Sequence, residues 1–313
     1  MGSTRYNSGD MTRLRHQNFV WIDVPNPTEP EVRLLEKEFG FHQLDAEDVI
    51  SPAQRPKLDS YPHYLFLILL FPIYDRASRE ILSSEIDIFI FPNALITFHQ
   101  NNLTPIIELR RSCERDEVLR AKFLSDTPAL LLYELLDRLL TYTYPMLDHV
   151  NLDIKNIERH IFSGYERAMV QEVLIIRRNI VNFRKIMQSH KTIIRKLLER
   201  STPFFAADKL AIYFDNLIEH TKDIWETLDN DKETIEALQQ TNEALISFRL
   251  NDILKLLTII SVILLPVNLI AQILSMNTPM PWIATPYSFT LALWFMALTG
   301  AGMTAWFKWK DWL

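Results

Sequence analysis

The sequence predicts a mixed α/β domain followed by long helices and two membrane-spanning helices near its C-terminal end. Three observations carry that expectation. From Leu256 to Phe307 there is no Asp, Glu, Lys, Arg or His, whereas the preceding chain is dense in them. Short apolar runs punctuated by proline fill the first hundred residues, and apolar residues at three- and four-residue spacing fill the stretch from about Pro128 to Arg249. The mean hydropathy of −0.01 hides this division, because it averages a charged part with an apolar one.

The polar opening MGSTRYNSGD lacks the apolar core of a signal peptide, and Tyr6 breaks the myristoylation pattern. Residues 1–18 are expected to be a disordered lead-in, and residues 19–127 a cytoplasmic α/β domain. Phe19 to Val24 reads as a strand closed by Pro25. Thr28 followed by Glu31 is a capping box for a helix that runs to Phe39 and stops at Gly40. Tyr64–Phe71, Ile86–Phe91 and Ala94–His99 are further strand-like runs, set off by Pro62, Pro72 and Pro92, and together they suggest one sheet. Cys113 is the single cysteine, which excludes an internal disulfide framework and a cysteine-rich metal site.

Residues 128–206 are expected to form a helical region, broken near Ser163-Gly164 and Thr202-Pro203, and 207–252 a stalk helix. These breaks give three long helices. No Gly or Pro interrupts the last one before Pro266, so it can run on into the first span; about 60 residues of helix would cover about 90 Å. Its acids Asp229, Asp231, Glu233 and Glu236 read as a solvated face.

The spans are expected at 253–275 and 287–308, joined by an uncharged loop, 276–286, and followed by a basic, aromatic end, 309–313. Each is long enough to cross a bilayer core, which takes about 20 apolar residues. In the first, Asn251, Thr258, Leu265 and Gln272 stand at heptad spacing, with Leu254, Ser261, Asn268 and Ser275 three residues after each. Six of these eight are polar, forming one stripe. Uncharged polar groups inside a membrane face protein or water, so the stripe is either an oligomer seam or a pore lining. Arg249, Lys255, Lys308 and Lys310 flank the pair on one side, which puts both termini in the cytoplasm.

The segment Asn251-Asp-Ile-Leu-Lys-Leu-Leu-Thr258 to Pro266, with Met276-Asn277 and Met280-Pro281, resembles the CorA magnesium-transporter family. Gln54-Arg55-Pro56-Lys57-Leu58-Asp59 before Tyr64-Leu65-Phe66-Leu67, Arg177-Arg178-Asn179, Glu219-His220 and Lys308 to Leu313 extend the likeness from Phe19 onward. The resemblance implies a funnel-shaped homopentamer in the plasma (inner) membrane, multi-pass, that transports a divalent cation, with Mg²⁺ favoured and no covalently bound cofactor. It implies that Ser275, Met276 and Asn277 form the pore mouth, with Asn277 meeting the metal through its hydration shell. Mg²⁺ dehydrates reluctantly, which suits neutral amide oxygens. Leu254, Leu257 and Leu265 match apolar positions that constrict the pore.

Departures from the family pattern accompany the likeness. Ser275 stands where the family motif has Gly, Gln272 is bulkier than the usual Gly, and Trp282 replaces an acid in the loop. Asn216 and Gln240 occupy positions of regulatory acids, leaving Asp215 as a possible substitute ligand. Zn²⁺, Co²⁺ or Ni²⁺ transport by the same fold stays open, as does a non-conducting scaffold or sensor. Partners are expected to be further copies of the chain, lipid and divalent ions, without nucleic acid: the basic run from Arg177 to Arg200 is expected to lie against acidic helices. An enzyme is not supported. His149, Asp153, Glu158 and His160 are close in sequence, but His160 falls off the face that His149 and Asp153 share.

Overall fold

The computed structural model describes residues 4–5, 11–51, 55–124, 127–200, 207–275, 287–310 and 312. It divides into two units, Met1–Gln239 and Gln240–Leu313.

The first unit is built on a seven-stranded sheet. Its strands are β1 (Thr4–Arg5), β2 (Thr12–His16), β3 (Phe19–Pro25), β4 (Lys57–Ser60), β5 (Leu65–Asp75), β6 (Glu80–Phe91) and β7 (Ala94–His99). They lie in the order β1-β2-β3-β7-β6-β5-β4. Only β3 and β7 pair in parallel, with Trp21 opposite Leu95 and Asp23 opposite Thr97; the other neighbours are antiparallel. The crossover between β3 and β7 holds α1 (Glu29–Phe39) and α2 (Gln43–Ile50). The α1 cap is the one the sequence encodes. The Thr28 amide and hydroxyl donate to Glu31 Oε2 at 3.0 and 2.6 Å, and Gly40 takes φ +70° where the helix stops. Val32, Leu35, Ala46 and Val49 from these helices close over Phe66, Phe89, Ile96 and Phe98 of the sheet. At roughly 25 cal/mol per Å² of apolar surface, such side chains supply the main stabilisation of the unit.

Two details differ from the sequence expectation. The lead-in is not wholly disordered, because Thr12–His16 forms β2 on β3 and buries Met11 and Leu14. Leu14 is the one apolar residue of that strand, so the sequence carries no alternating pattern to mark it. Strand β5 also runs past Pro72 to Asp75. There β6 is its only neighbour, since β4 pairs only with Leu65–Ile68, and a proline without an N–H is tolerated on a free edge.

The parallel pair is pinned by a buried polar network. Asp23 Oδ1 accepts from the Thr97 hydroxyl at 2.6 Å, Trp21 Nε1 donates to Thr97 Oγ1 at 3.1 Å, and Arg110 Nε lies 3.3 Å from Asp23 Oδ2. The His99 ring sits between two acceptors, Asp23 Oδ1 at 3.1 Å and the Gln100 carbonyl at 2.7 Å. Burial opposes a charged ring there, but the Asp23 carboxylate and these bonds outweigh it and raise the His99 pKa.

The remaining helices of this unit are α3 (Thr104–Arg115), α4 (Glu117–Phe123), α5 (Pro128–Thr141), α6 (Tyr144–Phe162), α7 (Glu166–Met187), α8 (His190–Arg200) and the first part of α9 (Ala207–Ser275). The region expected as two helices ahead of the stalk is thus four. Pro145 in the first turn of α6 forces a break after α5, because a proline ring does not fit a helix interior. A turn at Gln188-Ser189 separates α7 from α8 and places His190 edge-on to Phe71 at 4.9 Å.

In this unit α9 buries Phe214, Leu217, Thr221, Ile224, Leu228, Asp231, Ile235 and Leu238, an unbroken alternation of three- and four-residue steps. Helix α7 runs antiparallel beside it: Arg184 pairs with Asp229 at 2.7 Å and stacks on Trp225, while Arg177 reaches Glu236 and Gln239. Those pairs place two arginines of the basic run against acidic partners.

In the second unit α9 continues to Ser275, and α10 spans Ser288–Trp309. Both are long and apolar enough to cross a membrane.

Burial pushes the His190 pKa down to about 4, so the folded state excludes a proton that the unfolded chain binds below about pH 6.5. Stability is therefore expected to fall as pH drops from 6.5 to 4, by up to about 3 kcal/mol. Thermal unfolding of wild type and His190→Phe between pH 4 and 7 checks this: the variant is expected to lose part of the acid sensitivity.

Candidate functional site

The first span presents two faces with opposite character. Ile259 is buried, and Ile263, Pro266, Val267, Ile270 and Leu274 are half-buried. Val267 Cγ2 lies 3.9 Å from where a Cβ on Gly300 would stand, so this face meets α10. The two helices pass in opposite directions. Lys255, near the start of the span, sits over the Trp312 ring at 5.9 Å, just past the end of α10, and Phe307 is buried at that end.

Asn251, Leu254, Thr258, Ser261, Leu265, Asn268, Gln272 and Ser275 are all exposed, as is Leu257. At 100° per residue their mean direction lies about 180° from the face that meets α10. The neighbouring helix thus leaves the polar stripe uncovered. The hydroxyls on it are satisfied within the helix: Thr258 donates to the Leu254 carbonyl at 2.7 Å, Ser261 to Leu257 at 2.9 Å and Ser275 to Gln272 at 2.9 Å. The amides of Asn251, Asn268 and Gln272 make no side-chain hydrogen bond among the described residues. A primary amide offers two donors and an acceptor, and leaving them unmet in hydrocarbon costs several kcal/mol. Such a stripe needs water or other polypeptide against it.

Toward the N-terminus the same three- and four-residue steps pass through Ser247, Ala244, Gln240, Ala237, Glu233, Asn230, Glu226, Asp223, Glu219 and Asn216, and every one is exposed. The stripe therefore does not begin at the membrane. It is one uncovered face of α9 from Asn216 to Ser275, and Asn216 and Gln240 both lie on it. Asp215, next to buried Phe214, is exposed. Asn216 Nδ2 approaches the Tyr133 hydroxyl at 3.5 Å.

Other residues singled out in the sequence are not assembled into a site. Met276 and Asn277 lie outside the described residues, as do Gln54 and Trp282. His149 and Asp153 line a cleft of about 660 Å³ with Tyr74, Arg76 and Asn179, but His160 points to the Asn156 carbonyl and the Tyr165 ring instead. Among the described residues no three His, Cys, Asp or Glu side chains come together as a metal site. Lys57 bridges Asp48 and Asp59 at 2.7 and 2.6 Å. Buried Cys113 has its thiol pKa pushed up to about 11 by desolvation, which leaves it unreactive.

One acid expected on the solvated face is not there. Asp231 occupies the buried seam of α9 at 5% exposure, its Oδ2 without a hydrogen-bond partner, and desolvation raises its pKa to about 6. Extending the apolar spacing of Ile224 and Leu228 finds it: Asp231 stands three residues after Leu228 and four before Ile235, in step with the seam.

A family model described as CorA-like Mg²⁺ transporter protein matches residues 16–309. The chain belongs to that family. It is 26% identical over 296 residues to a cobalt/magnesium transport protein CorA of Thermotoga maritima, covering 94% of this chain and 83% of the relative. It is 22% identical to a magnesium transport protein CorA of Escherichia coli, covering 95% and 92%. Among solved structures, the complete CorA magnesium transporter of Methanocaldococcus jannaschii superposes with a TM-score of 0.82 at 20% identity, covering 96% of this chain and 93% of that one. The cytoplasmic domain of ZntB from Vibrio parahaemolyticus shares the fold at a TM-score of 0.62 and 15% identity, over 77% and 95%. This CorA-like chain is accordingly a membrane ion transporter and not an enzyme.

Because Asp231 has a raised pKa, the folded state holds its proton more tightly than the unfolded chain. The cost of burying it is absent at low pH and grows as pH rises from about 4 through 6. Asp231→Asn is expected to stabilise the protein by about 1–2 kcal/mol at pH 7 and to gain nothing at pH 4. Melting temperatures of the detergent-solubilised protein at the two pH values measure it.

Proposed function

We propose that this chain forms a homopentameric channel for a divalent cation, Mg²⁺ in the first place, with the exposed stripe of α9 as its lining. The observation that carries the proposal is the polar face from Asn251 to Ser275, left uncovered by α10 and holding amides that a lone chain does not satisfy. Several copies arranged around an axis bring those amides to water and to one another. In this reading both termini lie in the cytoplasm of a plasma-membrane protein, in accord with Lys255, Lys308 and Lys310 on one side.

Residues then take distinct roles. Asn277, with Ser275 and Met276, rings the mouth and holds a hydrated ion through amide oxygens, so the ion keeps its first water shell. Leu254, Leu257 and Leu265 narrow the lining and close it by excluding water. Asn251, Thr258, Ser261, Asn268 and Gln272 supply polar contacts between these constrictions. The amides at Asn216 and Gln240 bind Mg²⁺ far more weakly than carboxylates, so control by cytoplasmic Mg²⁺ is expected to be weak, with exposed Asp215, next to Asn216, as the substitute ligand. Zn²⁺ is the runner-up cargo, because Ser275 stands where the family motif has Gly and Gln272 is bulkier than the usual Gly.

Flux into liposomes loaded with a Mg²⁺- or Zn²⁺-sensitive dye tests this. Wild type is expected to admit Mg²⁺, Asn277→Ala to abolish or strongly reduce uptake, and Leu265→Ser to raise leak at rest. No flux for any divalent ion from a folded pentamer would overturn the channel in favour of a scaffold.

A second measurement addresses control. Uptake is expected to decline little as Mg²⁺ on the cytoplasmic side rises, and Asp215→Asn to abolish whatever decline remains. Strong inhibition that survives Asp215→Asn would place regulation elsewhere.

A further inference from the structure

The helical hairpin of α6 and α7 ends in a tip that the packing of the first unit does not explain. Phe162 is 66% exposed and Tyr165 60% exposed, on either side of the turn Ser163-Gly164, where Gly164 takes φ +97°. The turn itself is well made: the Ser163 hydroxyl donates to the Arg159 carbonyl at 2.7 Å and the Tyr165 amide to the His160 carbonyl at 3.1 Å. A rigid turn thus holds two aromatic rings outward. Around them stand exposed Lys155, Arg159, His160 and Arg167, against one exposed acid, Glu158, and the buried Glu166. Val170 and Leu174 continue the exposed apolar surface for two more turns of α7.

Direction is the second observation. Helix α7 lies antiparallel to α9, with Arg184 at the level of Asp229 and Arg177 at the level of Gln239. Its N-terminal end, and the tip with it, therefore lies at the end of this unit where α9 leaves it. Helix α7 has eleven further residues beyond Arg177 in that direction, to Glu166. By sequence, the apolar span follows on from Gln239 after fourteen residues.

Exposed aromatic rings beside arginines are the side chains that settle at a bilayer's headgroup level, where the ring is half in hydrocarbon and the guanidinium meets phosphate. We propose that the Phe162–Tyr165 tip is a bilayer-surface contact, binding anionic phospholipid headgroups on the side of the membrane that holds the first unit. The tip would then tie the first unit to the bilayer at a point of its own. This rests on the spans crossing the membrane and is independent of whether the pore conducts.

The test reads the tip and not ion flux. Cys113 is buried and inert, so Phe162→Cys in the full-length protein offers one reactive thiol for a spin label, with Val118→Cys, at 78% exposure, as the aqueous control. Label accessibility is measured in nanodiscs of phosphatidylcholine with phosphatidylglycerol. The expected result is a several-fold higher ratio of collision with oxygen to collision with a water-soluble nickel chelate at position 162 than at 118. A drop in that ratio in phosphatidylcholine alone, or in Arg159→Gln/Arg167→Gln, is also expected. A ratio equal to the control would overturn the proposal. So would a label immobilised equally in nanodiscs and detergent micelles, which would mean that another copy of the chain covers the tip. Measuring Tyr165→Cys alongside guards against local misfolding from the loss of Phe162.

Discussion

Everything in this molecule hangs on one helix that must satisfy two solvents. Over its first part α9 is surrounded by water, so its buried seam is apolar and its outer surface charged. Over its last part the surroundings turn apolar, and the charges vanish from Leu256 onward. The period recurs in each unit. Steps of three and four bury Phe214, Leu217, Ile224 and Leu238 in the first, and the same spacing turns Ile259, Ile263, Pro266 and Ile270 toward α10 in the second. The steps on the other side run uncovered from Asn216 to Ser275. A helix with 3.6 residues per turn keeps such phase over long distances only if its packing follows a 3.5-residue repeat, which imposes a gentle left-handed winding.

That persistence assigns the faces. Within each unit one stripe is spoken for, by neighbouring helices in the first and by α10 in the second, and the opposite stripe is what remains for other molecules. Acidic and amide groups occupy it before the membrane and amides and hydroxyls within it. Family membership adds that ions are the cargo; the helix adds a polar face that α10 leaves uncovered.

Much of this was legible in the residues. The cap at Thr28 and the stop at Gly40, the strand Ala94–His99 and the uninterrupted stalk all follow from local chemistry. The polar stripe was legible because the first span is otherwise apolar, so a polar residue there is informative. The same logic explains the misses. In the soluble part polar residues are everywhere, and Asp231 among Asp229, Glu233 and Glu236 looks like one more surface acid until its position in the seam is counted. Strand β2 hid in a short polar segment whose partner is the next strand. The break at Pro145 was available and was outweighed by a long helical pattern on both sides. The polar network of Asp23, Thr97, His99 and Arg110 joins residues more than seventy positions apart, which no local pattern displays.

The seam of α9 carries three polar residues among its apolar ones, Thr221, Asp231 and Asn242, each buried. A purely apolar heptad seam is nearly indifferent to sliding by one repeat, because leucine replaces leucine. Here the polar positions are ten and eleven residues apart, so a shift by one or two repeats brings none of them onto another. The seam works as a vernier with a single coincidence: every displaced alignment would press at least one polar group onto a surface shaped for methyl groups. Length alone does not make α9 a dependable ruler between its two solvents. Its zero mark is set by the residues that fit least well.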